Sequence, residues 1–216
     1  MVDRDTVRRI AEFHGHMCPG LAMGIRAAEV ALAEIGPHST DEEVVAITET
    51  DMCGVDAIQF LTGCTFGKGN LVHRDHGKSA FTFIRRSDGR AVRVSLRSGG
   101  WGPRDPQREA LSAKVRAGDA DPDERERFWE LQRARCDQIL DAPLEQLYDV
   151  REVAVEAPRP ARIHTSVDCA ACGEPTMETR VRMLGGQLLC TPCFYQRLAG
   201  PTPASPQTST VSPARR

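Results

Sequence analysis

The chain has 216 residues, 40% apolar and 27% charged, with a formal net charge of −2. That balance is the one expected of a globular protein with a single sizeable core, and it gives no global electrostatic case for nucleic-acid binding. No uninterrupted apolar run reaches the roughly 18 residues a membrane span needs, and Met1-Val2-Asp3-Arg4-Asp5-Thr6-Val7 has no secretory apolar stretch, so no membrane contact and a reducing cytoplasmic setting are expected.

The first helix signalled by periodicity follows His14-Gly15-His16-Met17-Cys18. Pro19 suits a first helical turn. Leu21, Ile25, Leu32 and Ile35 recur at helical spacing, Gly20 and Gly24 permit close packing, and Gly36-Pro37 ends the run. Val44 to Thr50 reads as an apolar, β-branched strand, and Cys53 to Leu61 as a short helix closed by Gly63. After a glycine-rich loop, Ser79 to Arg86 and Arg90 to Arg97 predict a β-hairpin about Ser87-Asp88-Gly89, with Val92, Val94 and Leu96 on one face and Arg93 and Arg97 on the other. Gly99-Gly100-Trp101-Gly102-Pro103 introduces two helices, about 106–117 and 122–140, the second capped by Asp121. The second helix sets Arg125, Arg127, Arg133 and Arg135 among acids, the pattern of a solvated face, and its Cys136 reads as a small buried residue. Leu147 to Val155 predicts one more strand. The domain reading is a core over 1–156, a Pro-rich linker over 157–166, a metal-stapled module over 167–199 and a disordered Pro/Ser/Thr-rich tail over 200–216.

The module carries Cys169-Ala-Ala-Cys172 and Cys190-Thr-Pro-Cys193, with seventeen residues between the two pairs. Each CxxC aims two sulfurs at one point, and two such pairs complete a tetrahedral thiolate site for Zn²⁺. Gly173 suits the tight turn after the first pair. Four protein ligands leave no open position, so this zinc is structural. From Arg159 onward there are seven arginines against three acids, leaving about −6 on the preceding part. Four thiolates and one Zn²⁺ would remove two charges from that basic excess, so the case for a nucleic-acid partner is weak.

A second constellation lies at His14-x-His16-x-Cys18. Two imidazoles and a thiolate are borderline-soft ligands for Zn, Fe or Cu, and a cysteine at a helix N-terminus has amides and a dipole that favour its thiolate. Cys53 and Cys64 stand at the start and end of the next helix. The candidate core metal ligands are therefore His14, His16, Cys18, Cys53 and Cys64. Cys18, Cys64 and Lys68 are the candidate catalytic groups. The loop Gly63-Cys64-Thr65-Phe66-Gly67-Lys68-Gly69 fails as a phosphate loop, because three residues separate its first two glycines and glycine replaces the Ser/Thr after lysine. Gly67, Lys68 and Gly69 could still hold an anion through amides and the ammonium, and His73, Asp75 and His76 could face the same cleft or simply form a surface turn.

His14 to Arg26, Asp51 to Gln59 and Thr62 to Asn70, followed by Arg180 to Phe194, resemble the FmdE family of formylmethanofuran dehydrogenase proteins over nearly all of the chain except the tail. The resemblance implies an α+β fold: an N-terminal α+β core domain followed by a small zinc-ribbon-like domain, assembled as a homodimer. It also implies a core cleft lined by the His/Cys motifs, with a second metal there. The sequence has no C-x₂-C-x₂-C-x₃-C-P run for an iron–sulfur cluster and no nucleotide fingerprint.

Two functions are expected. The first is a cytosolic zinc-binding protein accessory to a molybdenum or tungsten formylmethanofuran-type dehydrogenase system, contacting oxidoreductase subunits. The alternative is a metal-sensing or transcription-related regulator whose zinc finger binds a protein or nucleic acid, with Arg180 and Arg182 alternating along a ribbon strand.

Overall fold

The structure is a computed structural model, and it describes residues 1–199; the tail expected at 200–216 lies outside the described residues. The chain divides into two compact units, Met1–Ala161 and a second from Arg162 onward.

The first unit opens with helix α1 (Arg4–His14), capped by Asp3, whose Oδ1 accepts from the Thr6 amide at 2.9 Å, and closed by Gly15 at φ 94°. Periodicity did not announce this helix, because Val7, Ile10 and Ala11 are its few apolar residues and Ile10 alone is buried. Helix α2 (Pro19–Glu34) is the centre of the unit. It is buried without interruption from Leu21 to Ala28, so it is apolar around its circumference rather than along one stripe. Helix α3 (Gly54–Thr62) crosses it at unusually short range: a Cβ built at Gly24 would lie 2.2 Å from the Gly54 carbonyl oxygen. Only glycine permits that approach.

Five strands form a mixed sheet in the order β2-β1-β3-β4-β5. They are β1 (Val44–Thr48), β2 (Leu71–His73), β3 (Ala80–Arg85), β4 (Ala91–Leu96) and β5 (Tyr148–Glu152). β2 runs parallel to β1, and the other neighbours are antiparallel. The expected hairpin is β3–β4, with Thr82 opposite Arg93. Val44, Ala46, Phe81, Phe83, Val92 and Val94 join the core beneath α2, whereas Val45, Ile47, Ile84 and Ala91 form a smaller cluster on the opposite face. That second face is covered by Val72, Val153 and Ala157. Arg86 donates to the Pro158 carbonyl and the Ala161 amide to Glu42, so 157–161 pack on the first unit and do not run free.

Helices α4 (Pro106–Ala117) and α5 (Pro122–Asp141) form an antiparallel pair, with Asp121 and Glu124 making a reciprocal capping box, and α6 (Leu144–Leu147) leads into β5. Two long-range bonds tie this return to α2: Tyr148 Oη donates to Met23 O at 2.7 Å, and Arg26 Nη2 donates to Ala142 O at 2.9 Å.

The second unit contains two small hairpins, β6 (Ser166–Asp168) with β7 (Pro175–Met177) and β8 (Arg182–Leu184) with β9 (Gln187–Leu189), followed by α7 (Thr191–Ala199). Arg180 closes a single 3₁₀ turn before β8, so it does not alternate with Arg182 along a ribbon strand as expected. Pairing with β9 begins only at Arg182. Among the described residues no helix is long and apolar enough to cross a membrane.

Candidate metal centres

In the second unit each CxxC turn is built by backbone hydrogen bonds. The Gly173 amide donates to Cys169 O at 2.8 Å with Gly173 at φ 76°, and the Phe194 amide donates to Cys190 O at 2.9 Å as α7 begins. These turns bring Cys169, Cys172, Cys190 and Cys193 together with all sulfurs within 4.8 Å of one another. The Cys172 and Cys190 sulfurs are 3.9 Å apart, against about 3.8 Å for the edge of a tetrahedron with Zn–S bonds near 2.3 Å. Amides of Cys172, Cys190 and Ala171 aimed at Cys169 hold its thiol down to about 6. Cys193 is pushed up to about 12, first by its hydrogen bond with Cys190 and then by burial. Four clustered sulfurs cannot all ionise without a cation, so the donor set fits Zn²⁺ and the site is structural.

In the first unit, His14 ends α1, Gly15 reverses the chain, and Cys18 caps α2, accepting from the Leu21 amide at 3.4 Å. This short connection places one donor atom from each of His14, His16 and Cys18 within 4.8 Å of one another, and the two imidazole centroids are 4.6 Å apart. His14 Nδ1 lies 2.6 Å from Asp56 Oδ2 on α3. An ionised carboxylate only accepts, so Nδ1 carries the proton and Nε2 presents its lone pair. Nε2 is buried and has no hydrogen-bond partner. Asp56 was not singled out in the sequence; the available signal was its position in the first turn of the helix opened by Cys53.

The remaining expected residues separate. Cys53 neighbours Cys18 across Gly20, where a built Cβ would sit 3.4 Å from Cys53 Cβ and 3.9 Å from Cys18 Sγ. Cys53 is outside the three-donor cluster. Burial, reinforced by Cys53, raises the Cys18 thiol despite the Leu21 amide, so the expected helix-end stabilisation of a bare thiolate is outweighed. Cys64 is a correction: it is fully buried, its Sγ donates to Val44 O at 3.4 Å, and burial raises its thiol. It packs beneath β1 and supplies neither a core ligand nor a nucleophile.

The loop 67–69 also departs from expectation. The Lys68 amide donates to Thr65 Oγ1, the Gly69 amide to Phe66 O, and Lys68 Nζ to Ser39 O at 3.0 Å. Two of the amides expected to cradle an anion are thus used within the loop. Lys68 borders a cleft of about 530 Å³ with Arg9, Phe13, His38 and Phe60, while His76 pairs with Glu49 at 3.4 Å beside the Arg93–Glu49 ion pair. Cys136 is buried, and burial pushes its thiol up to about 12.

An α+β unit followed by a four-cysteine zinc site defines a zinc-binding protein of two compact units. Residues 13–149 match the family model described as FmdE, molybdenum formylmethanofuran dehydrogenase operon, and residues 162–194 match the prokaryotic dksA/traR C4-type zinc finger. The chain belongs to the FmdE family. It is similar to a solved FmdE-like protein of tungsten formylmethanofuran dehydrogenase type from Syntrophus aciditrophicus, at 26% identity and a TM-score of 0.60, covering 88% of this chain and 90% of that one. It is also 33% identical over 198 residues to a probable S-adenosyl-L-methionine-binding protein of Archaeoglobus fulgidus. The match covers 87% of this chain but 52% of the relative, so the chain spans about half that protein's length.

Proposed function

We propose that this FmdE-family protein is a metal-binding accessory factor of a molybdenum or tungsten formylmethanofuran-type dehydrogenase system, carrying a second metal in its first unit. One observation supports this above the others: His14 Nε2 is buried and unpartnered while Asp56 fixes the opposite ring nitrogen. Leaving such a nitrogen unpaired costs about 1–3 kcal/mol, and a cation would remove that cost. His14, His16 and Cys18 supply three ligands of the type that suits zinc, and a metal bound there would supply Lewis acidity or a sensing readout. Asp56 orients His14, Leu21 supports the Cys18 sulfur, and the exposed His16 leaves access from solvent. The protein works as a homodimer in the reducing cytoplasm, contacting oxidoreductase subunits; the eight unpaired cysteines suit that compartment.

The test is metal content per chain, measured on purified protein and on Cys18→Ser. Two metals falling to one supports the reading. One zinc in both proteins removes the core metal. Light scattering on the same samples tests the dimer, and adding S-adenosyl-L-methionine tests whether the Archaeoglobus relative's printed ligand extends to this chain.

A regulatory reading is favoured by the zinc-finger match over 162–194 and by apolar side chains exposed on the second unit, Met183, Tyr195 and Leu198. Such a surface suits a protein partner better than nucleic acid. Binding of nucleic acid that weakens steeply with salt would instead support its nucleic-acid form.

A further inference from the structure

A cleft of about 580 Å³ opens between the 99–103 loop and the α4–α5 pair, bordered by Pro19, Trp101, Arg104, Arg108, Arg116 and Arg135. Its charge is one-sided. Glu109 is the acid on its wall, at 3.9 Å from the exposed Arg104, and nearby Asp105 accepts from the Gln107 and Arg108 amides at the start of α4. Among the described residues, Arg108, Arg116 and Arg135 have no carboxylate within ion-pair distance. Arg108 and Arg135 are instead held by neutral amides, through Gln132 Oε1 at 3.2 Å and Gln138 Oε1 at 3.0 Å.

The arrangement is built rather than incidental. Gly102 has φ 69°, and a Cβ there would lie 2.9 Å from Arg135 Nη2, so glycine lets the guanidinium lie against the loop backbone. Arg108 Nε is buried without a partner. Burial and then the Arg108 charge push Arg135 down from its usual range, as expected for two guanidiniums drawn together without a counterion. Forked N–H donors suit phosphoryl oxygens, and a diphosphate carries enough charge to answer three of them. The half-exposed Trp101 indole and the Pro103 ring add an apolar wall where a flat group could stack.

We propose that this cleft binds a diphosphate-bearing small molecule, with Arg108, Arg116 and Arg135 on its phosphoryl oxygens and Trp101 beside its organic part. The site stands independently of the core metal, whose donors are His14, His16 and Cys18.

The test titrates the zinc-loaded full chain with inorganic pyrophosphate and with ADP, by calorimetry and by Trp101 emission in a Trp129→Phe background. Saturable one-to-one binding is expected. Arg108→Gln and Arg135→Gln should each weaken it about tenfold or more, the effect of losing one good charge-assisted contact. Arg133→Gln, on the exposed side of α5, should change it less than about twofold, and unfolding midpoints confirm that each variant folds. ADP binding tighter than pyrophosphate shows the base engaging Trp101, and equal affinities show a site that reads the diphosphate alone; either supports the proposal. Absence of saturable binding up to about 10 mM at low salt, or equal weakening by Arg133→Gln, overturns it. It also fails if the Arg108 and Arg135 variants alter self-association and leave pyrophosphate binding intact, because the arginines would then belong to an interface between copies.

Discussion

Replacing Gly24 by Ala should destabilise the first unit far more than its single methyl suggests. The new Cβ would lie 2.2 Å from Gly54 O, 2.3 Å from Gly54 Cα and 2.6 Å from Gly54 C, all of them backbone atoms that no rotamer change can move aside. Restoring ordinary contact at 3.4 Å requires α2 and α3 to part by about 1 Å. Overpacking of this kind costs about 1–3 kcal/mol, and a backbone-on-backbone clash belongs at the upper end. The helix preference for Ala over Gly returns roughly 1 kcal/mol, leaving a net loss of about 2 kcal/mol. For a unit of this size that is about 4–8 °C in Tm. Trp101 and Trp129, the two tryptophans of the chain, both lie in the first unit, so urea unfolding followed by tryptophan emission reports that unit alone. Gly67→Ala is the control, because its Cβ would meet open space, and a shift within about 0.5 kcal/mol is expected. A Gly24→Ala midpoint equal to or above that of the parent chain would show that propensity outweighs packing here and would refute the argument. The same variant should weaken any metal held by His14, since α3 carries Asp56 and α2 carries Cys18.

Asp56→Asn should lower core metal affinity about 10- to 100-fold by removing the carboxylate that orients His14, while the zinc of the second unit stays bound; competition with a chromophoric chelator separates the two. Cys172→Ser removes one of four zinc ligands and should release that zinc and unfold 167–199 without moving the tryptophan-detected transition of the first unit; a proteolysis time course with metal analysis checks it. Glu43 is held down to about 2 from an ordinary 4.5, chiefly by the Ser39 hydroxyl at 2.6 Å, with the Asp41 amide and the Thr40 hydroxyl adding to it. Its folded value lies below its unfolded one, so its contribution is present above about pH 4.5 and is lost as the pH falls towards 2. Urea midpoints across that window should fall less steeply for Glu43→Gln than for the parent chain, and parallel curves would contradict the assignment.

Legibility in the sequence followed the range of the interactions. The α2 start, the β3–β4 hairpin, the Asp121 cap and the four-cysteine site are written in short spacings, and each forms where those spacings place it. α1 was invisible because a helix that touches the core mainly through Ile10 leaves little periodic trace. The grouping of His14, His16 and Cys18 could be read from alternation, but their support by Asp56 depends on how α1 meets α3, which no local pattern encodes. Cys64 illustrates the opposite error. A cysteine after a helix-closing glycine looked available for chemistry, yet the Gly63 turn directs it under β1, where it behaves as a small apolar side chain. The arginine cleft was hidden for a related reason: α5 reads as a solvated charged helix until Gly102 and α4 are seen against Arg135 and Arg108.

The two bonds from α2 to the far end of the first unit have a consequence for how the protein is made. α2 is buried on every side, but Tyr148 and Ala142, which complete its enclosure, follow it by more than a hundred residues. During synthesis an almost wholly apolar helix leaves the ribosome long before its last partners exist. At about 5–20 residues per second that interval is several seconds or more, with α3 the earliest element able to shield it. Closing the unit is therefore a late, non-local event, and the nascent chain is expected to depend on a chaperone until residue 150 has emerged.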